Sequence, residues 1–168
     1  MDHPPGSGKF TLYPESGKKR GEGNGVAPIK VSLMNRLHQH GWKIEEPFDI
    51  ATRKMPGDLD AVLYSNNGNI AVEWETGNIS SSHRALNKLA LGLTKKVISA
   101  GIHIVPSREM YRYLTDRIGN FQELEPYLDL WRKVHCENGV LEIIVIEQDD
   151  TSIDVPRIPK RTDGRALK

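Results

Sequence analysis

The sequence predicts an α/β domain with a central mixed β-sheet flanked by helices. Three observations carry this expectation. LDAVLYS and NIAVEWE are strand-like runs joined by Asn66-Asn67-Gly68, a strong hairpin signal. AGIHIVP and LEIIVIE are strand-length apolar runs. Between and around them lie segments with apolar residues at helical spacing, and that alternation suits a layered α/β arrangement.

In order along the chain, residues 1–25 are rich in Gly, Pro, Lys and Ser and read as an irregular arm, with room for a short strand at Phe10–Tyr13. After Pro28, Ile29, Leu33 and Leu37 set a helix over Ile29–His40 that Gly41 can end. Residues 45–50 form a loop or short extended piece, and the hairpin follows over Leu59–Glu75. Ser80–Ser82 supply N-cap candidates for a helix to about Lys96, with Leu86, Leu89, Leu93 and Val97 on its apolar side. Ala100–Pro106 reads as a buried strand, Ser107 caps a helix over Glu109–Leu114, and Phe121–Val134 is a longer amphipathic helix with Pro126 early in it. Leu141–Glu147 is a further buried strand, and a basic, Pro-containing arm covers about 150–168. The expectation is one domain over 1–168 with an arm at each end, since 168 residues build one substantial core.

Composition bounds the class: 38% hydrophobic and 27% charged residues fit a globular domain, and no stretch approaches the run of about 18 apolar residues that spans a bilayer. The first ten residues have no apolar signal-peptide core. The single cysteine, Cys136, cannot form an internal disulfide, which points to the cytoplasm. Net charge is only +1, but residues 155–168 carry Arg157, Lys160, Arg161, Arg165 and Lys168 against Asp163 alone, a local +4. Such an arm suits nucleic acid or is simply a solvated surface. Gly6-Ser7-Gly8-Lys9 is not a phosphate-binding loop, because His3 and Phe10 stand where that pattern needs Gly and Ser/Thr.

The hairpin places its acids usefully. With the turn near Asn67, Asp60 lies across from residues 73–75, and Glu73 and Glu75 share a face because strand side chains alternate. Clustered carboxylates call for a cation or a bound proton. Oxygen donors without a Cys/His cluster favour Mg²⁺ over zinc. Exposed acids balanced by Arg53, Lys54 or Arg84 are the plain alternative, and paired carboxylates also serve glycoside hydrolysis, although only 7% of residues are aromatic. After Glu75 comes TGNISSSHRALNKL, in which Asn78, Ser80 and Arg84 are the residue types that read base edges; helix capping accounts for the serines equally well. No Ser/His/Asp or Cys/His set is legible among the six histidines and Cys136.

VEWETGNISSSHRALNKLALGL, YLTDRIGNFQELEPYLDL and VPRIPKRTDG closely resemble three blocks of the BamHI-type restriction endonucleases, with weaker similarity at NGVAPIK and EEPFDI, over most of residues 8–164. The resemblance implies a restriction-endonuclease-like fold of the PD-(D/E)xK type, with Glu75 where many such nucleases carry Lys. It implies catalytic Asp60, Glu73, Glu75 and Glu45; a metal site made by Asp60, Glu73, Glu45 and the Trp74 carbonyl; and Glu75 binding or orienting the attacking water. Asn78, Ser80, Arg84, Asp116 and Arg117 match major-groove readers, Lys30 a residue near the bases, and Asp163 and Gly164 an element near the minor groove. Double-stranded DNA read as the palindrome GGATCC, cut after the first G to leave four-base 5′ overhangs, is the implied substrate. Mg²⁺ is the implied cofactor, two ions per site with Mn²⁺ able to substitute, and a homodimer the implied assembly. The N-terminal helical segment and longer tail of a larger relative have no counterpart here, and the charges at Thr94–Lys96 and Asp129–Arg132 differ from those that pair its subunits.

Overall fold

The computed structural model describes residues 2–17, 22–48, 57–115 and 118–160. A five-stranded mixed sheet in the order β2-β3-β4-β5-β6 forms the centre. Its strands are β2 (Lys43–Glu46), β3 (Leu59–Leu63), β4 (Ile70–Trp74), β5 (Ala100–Pro106) and β6 (Val140–Ile146). The first three run antiparallel, and β4, β5 and β6 are parallel. Antiparallel neighbours need only a tight turn, whereas parallel ones need a crossover. Accordingly Ser65–Gly68 closes the β3–β4 hairpin, the Gly68 N–H donating to the Ser65 carbonyl at 3.2 Å with Gly68 at φ 116°. The β4–β5 crossover is a long helix, α2 (Ile79–Thr94).

Helices cover both faces. On one, α1 (Val26–Gln39) and α3 (Arg108–Tyr111) bury Val26, Ile29, Met34 and Met110 against Ala61, Val72, Trp74 and Ile104. On the other, α2 lays Leu89 and Leu93 on Val62 and Ala71, and Leu86 beside Val105. The last two helices, α4 (Phe121–Leu124) and α5 (Leu128–Arg132), close that face with Leu124 and Trp131. Each fully buried leucine contributes about 2 kcal/mol of transfer free energy. The helix α2 lies close to the sheet because Gly101 permits it: a Cβ there would come 3.0 Å from the Leu89 Cβ, while Gly92 of α2 makes room for the Phe48 ring, which a Cβ would approach to 2.7 Å.

Several sequence expectations shift. Helix α1 begins at Val26, with Pro28 inside its first turn, where the missing N–H has no intrahelical partner to lose. The short extended piece expected from residue 45 is an edge strand that begins earlier, at Lys43, and ends at Glu46. The cap of α2 is Asn78, which accepts from the N–H groups of Ser80 and Ser81, rather than one of the serines. The segment predicted as one helix over 121–134 is broken: a 3₁₀ turn at Glu125–Tyr127 separates α4 from α5, at Pro126. Ser107 caps as expected, accepting from the Met110 N–H, but α3 ends at Tyr111. Strand β6 is half-exposed rather than buried, because it lies at the sheet's edge with Val140, Ile144 and Val145 open to solvent.

The two ends of the chain are knitted together. A two-residue strand, β1 (Thr11–Leu12), pairs in parallel with β7 (Asp150–Thr151). At the centre of this clasp sits Asn24, fully buried. Its Nδ2 donates to the carbonyls of Tyr13 and Tyr113, each at 2.8 Å, and its Oδ1 accepts from the Ile158 N–H at 3.1 Å. Arg157 meets Glu15 at 2.7 Å beside it.

Candidate active site

The hairpin register brings the predicted acids together. Ala61 pairs with Val72 and Val62 with Ala71, so the next step of the ladder sets Asp60 across from Glu73. Across the other edge of β3, the pairs Ile44–Ala61 and Glu46–Leu59 leave Glu45 level with Asp60. On the far side, Glu73 pairs with His103 of β5. Glu45, Asp60, Glu73 and His103 thus form one row across four strands.

Asp60 is anchored at both oxygens. Oδ2 accepts from the Trp74 backbone N–H at 2.7 Å, tying it to β4, and Oδ1 takes Lys30 Nζ from α1 at 2.6 Å. Glu73, 2% exposed, forms an ion pair with Lys88 of α2. The Glu73 carboxyl is pushed up to about 7, chiefly by burial and also by the charges of Asp60 and Glu75, against the pull of Lys88. Beyond the end of β4, Glu75 meets Arg84 at 3.3 Å, with Arg84 itself largely exposed.

Glu45 is exposed and adopts φ 53°, a left-handed conformation inside a strand. A non-glycine residue held there costs on the order of 1–3 kcal/mol, and such strain concentrates at functional sites. His103 is fully buried, and neither ring nitrogen completes a hydrogen bond among the described residues. Burial pushes its imidazole down to about 4, against the upward pull of the Glu73 backbone and the Asp60 charge.

Among the described residues no three His, Cys, Asp or Glu side chains are grouped so as to hold a metal by themselves; Asp60 and Glu73 hold lysines. The row nonetheless fits a hard divalent ion. Its carboxylates and the Trp74 carbonyl are all oxygen donors. The upward displacement of Glu73 shows that Lys88 does not cancel the combined effect of burial and the neighbouring acids. A carboxylate row short of positive charge accepts either a proton or a cation.

The structure places the other predicted residues as follows. Lys30 is at Asp60. Asn78, Ser80 and Arg84 lie exposed on the first turns of α2, beside Glu75, with the Asn78 Oδ1 engaged in the cap. Asp116, Arg117, Asp163 and Gly164 lie outside the described residues. Sequence reasoning missed Lys88 and His103. The signal for Lys88 was a cation inside the apolar stripe of α2, between Ala85 and Gly92; for His103 it was a lone polar residue within AGIHIVP.

Comparison with known proteins agrees with this architecture. The family described as restriction endonuclease BamHI matches residues 1–165. The chain is 50% identical over 165 residues to the type II restriction enzyme OkrAI of Oceanobacter kriegii, covering 98% of this chain and 82% of that one. It is 38% identical over 152 residues to the type II restriction enzyme BamHI of Bacillus amyloliquefaciens, covering 86% of this chain and 69% of that one. With a mixed sheet of the expected kind, a carboxylate row on its hairpin, and a match over nearly its full length, the chain belongs to the BamHI family of type II restriction endonucleases.

Proposed function

We propose that this chain hydrolyses one phosphodiester bond in each strand of duplex DNA at GGATCC, after the first G, using Mg²⁺ held on the Asp60–Glu73 row. The observation that supports it most is the juxtaposition of Asp60 and Glu73 across the hairpin, with Glu75 following on β4's own continuation. The sequence match to OkrAI and BamHI supports the substrate, both being type II restriction enzymes.

In this reading Asp60, Glu73, Glu45 and the Trp74 carbonyl would hold the metal. When bound, Mg²⁺ supplies a more acidic water and offsets charge gathering on the phosphate. Two ions per site, with Mn²⁺ able to replace Mg²⁺, are part of the proposal. Glu75 orients the water, and its partner Arg84 keeps the carboxylate directed until DNA arrives. Lys30, on Asp60, lies near the DNA. Arg84 and Ser80 present donors on the exposed first turns of α2, and the amide NH₂ of Asn78 adds another while its oxygen serves the cap. Asp116 and Arg117 complete the major-groove reading, and Asp163 and Gly164 approach the minor groove. A palindrome read symmetrically calls for a two-fold homodimer, one half-site per subunit. Among the described residues no helix is long and apolar enough to cross a membrane, and a restriction enzyme works in the cytoplasm beside the DNA that it polices.

The test is a digest of plasmid carrying a single GGATCC, with Mg²⁺ and with EDTA, followed by sequencing of the ends. One Mg²⁺-dependent cut after the first G is expected. Cuts at another site would discard the specificity and keep the nuclease; a DNA complex that never cuts would make the chain a binding module.

A further inference from the structure

The side chain that the carboxylate row does not explain is Lys88. It stands in the buried stripe of α2, 8% exposed, among Ala85, Leu89 and Gly92, where an apolar residue would ordinarily pack. Its Nζ makes two contacts at once. One is the ion pair with Glu73 on β4. The other is a 2.6 Å donation to the Asp58 carbonyl, two residues before Asp60 at the entrance to β3. A buried ion pair is weak ground for stability, since replacing both of its partners by apolar residues is often neutral or better. Its place in the site is therefore the better explanation for a lysine here.

We infer that Lys88 is a positioning residue of the metal centre: it fixes the Glu73 carboxylate and the segment carrying Asp60 to one point on α2, so that the two ligands keep their spacing with or without a metal. This inference rests on the metal-site reading above. The geometry favours it in three respects. The glycine at 101 of β5 lets α2 sit close enough for a lysine to reach the strands. The ammonium touches Glu73 at Oε1, and a carboxylate has a second oxygen to offer a cation. The contact to Asp58 is with backbone, so it sets the path of the chain rather than the rotamer of one side chain. Groups that orient metal ligands from behind typically change metal affinity by 10–100-fold when removed.

The test counts Mn²⁺ binding to the full chain by the EPR signal of free Mn²⁺, with the protein bound to a phosphorothioate duplex that resists cutting. Lys88→Met, Lys88→Gln and Lys88→Arg are compared with Glu73→Gln and Asp60→Asn, each after a thermal melt. Expected are folded proteins that melt lower in Lys88→Met and Lys88→Gln, because removing one partner leaves a buried carboxylate unpaired, with Mn²⁺ affinity at least about tenfold weaker in those two and within about threefold in Lys88→Arg. Unchanged affinity in folded Lys88→Met, with affinity lost in Glu73→Gln, would overturn the inference and leave the metal site standing. Unchanged affinity in Glu73→Gln and Asp60→Asn would overturn the metal-site reading itself. If neither Lys88→Met nor Lys88→Gln folds, the inference is overturned too, because Lys88 is then a requirement of the fold.

Discussion

Replacing His103 with leucine should reveal a pH dependence that the intact protein conceals. The imidazole is held at about 4, below its ordinary 6.5, chiefly because burial disfavours the charged ring. Between those values the unfolded chain binds a proton that the folded chain does not. The stability that His103 permits is complete above pH 6.5 and lost as pH falls toward 4. At roughly 1.4 kcal/mol per unit, the displacement amounts to about 3 kcal/mol. Glu73 acts in the opposite sense: raised from 4.5 to about 7, it binds its proton better in the folded chain, so its contribution is full below 4.5 and lost as pH rises to 7. The two adjacent residues, paired across β4 and β5, offset one another over much the same window. Glu73 is displaced by burial, Asp60 and Glu75, with Lys88 opposing, so its behaviour carries over into His103→Leu. The assay is urea unfolding in EDTA from pH 4.5 to 7.5 for both proteins. Stability of the unsubstituted chain relative to His103→Leu should rise with pH by most of that 3 kcal/mol, while His103→Leu alone grows less stable toward pH 7. A gap constant to within about 0.5 kcal/mol would refute the reasoning.

Glu75→Ala should bind DNA nearly as before and cleave at least about 100-fold more slowly; turnover within tenfold of the unsubstituted chain would deny its role. Mn²⁺ affinity, read by the EPR of free ion, should weaken about tenfold per pH unit below 7 and level off above, since a metal must displace the proton that Glu73 retains there. An affinity flat from pH 6 to 8 would contradict this. Asn78→Ala removes the acceptor for two N–H groups at the start of α2 and should cost about 1 kcal/mol in urea unfolding, with Asn78→Asp restoring most of it. Arg117→Ala should lose discrimination between GGATCC and its one-base variants more than it loses nonspecific affinity, and an unchanged ratio in competition binding would argue against base reading there.

The carboxylate row was legible because it depends on local rules. Asn66-Asn67-Gly68 sets the turn, the turn sets the register, and strand alternation puts Glu73 and Glu75 together. What was not legible depends on partners far away in sequence. Lys88 meets Glu73 only because α2 crosses back over the sheet, and a helical stripe does not announce which strand residue lies beneath it. LEIIVIE reads as buried from its apolar run alone, yet burial also requires a neighbour on each side, and among the described residues β6 pairs only with β5. Ser80, Ser81 and Ser82 read as the cap candidates, but the cap falls on Asn78, whose extended backbone at φ −72° and ψ 173° lets its side chain meet the Ser80 and Ser81 N–H groups. Pro126 was noticed, but whether it opens a helix or divides one depended on packing.

The clasp around Asn24 has a bearing on how such an enzyme is made. Its contacts join residues 139, 134 and 89 positions apart, as in Phe10 with Asp149, Ile158 with Asn24, and Asn24 with Tyr113. On a ribosome the segment around Thr11–Asn24 waits first for Tyr113 and then for residues 149–158 before its contacts are complete. Contacts of such long span form late, because the loop they close must be ordered first. The clasp therefore closes only after residues 149–158 have been made. The hairpin that carries Asp60 and Glu73 can thus be complete before the clasp that braces the arms is closed.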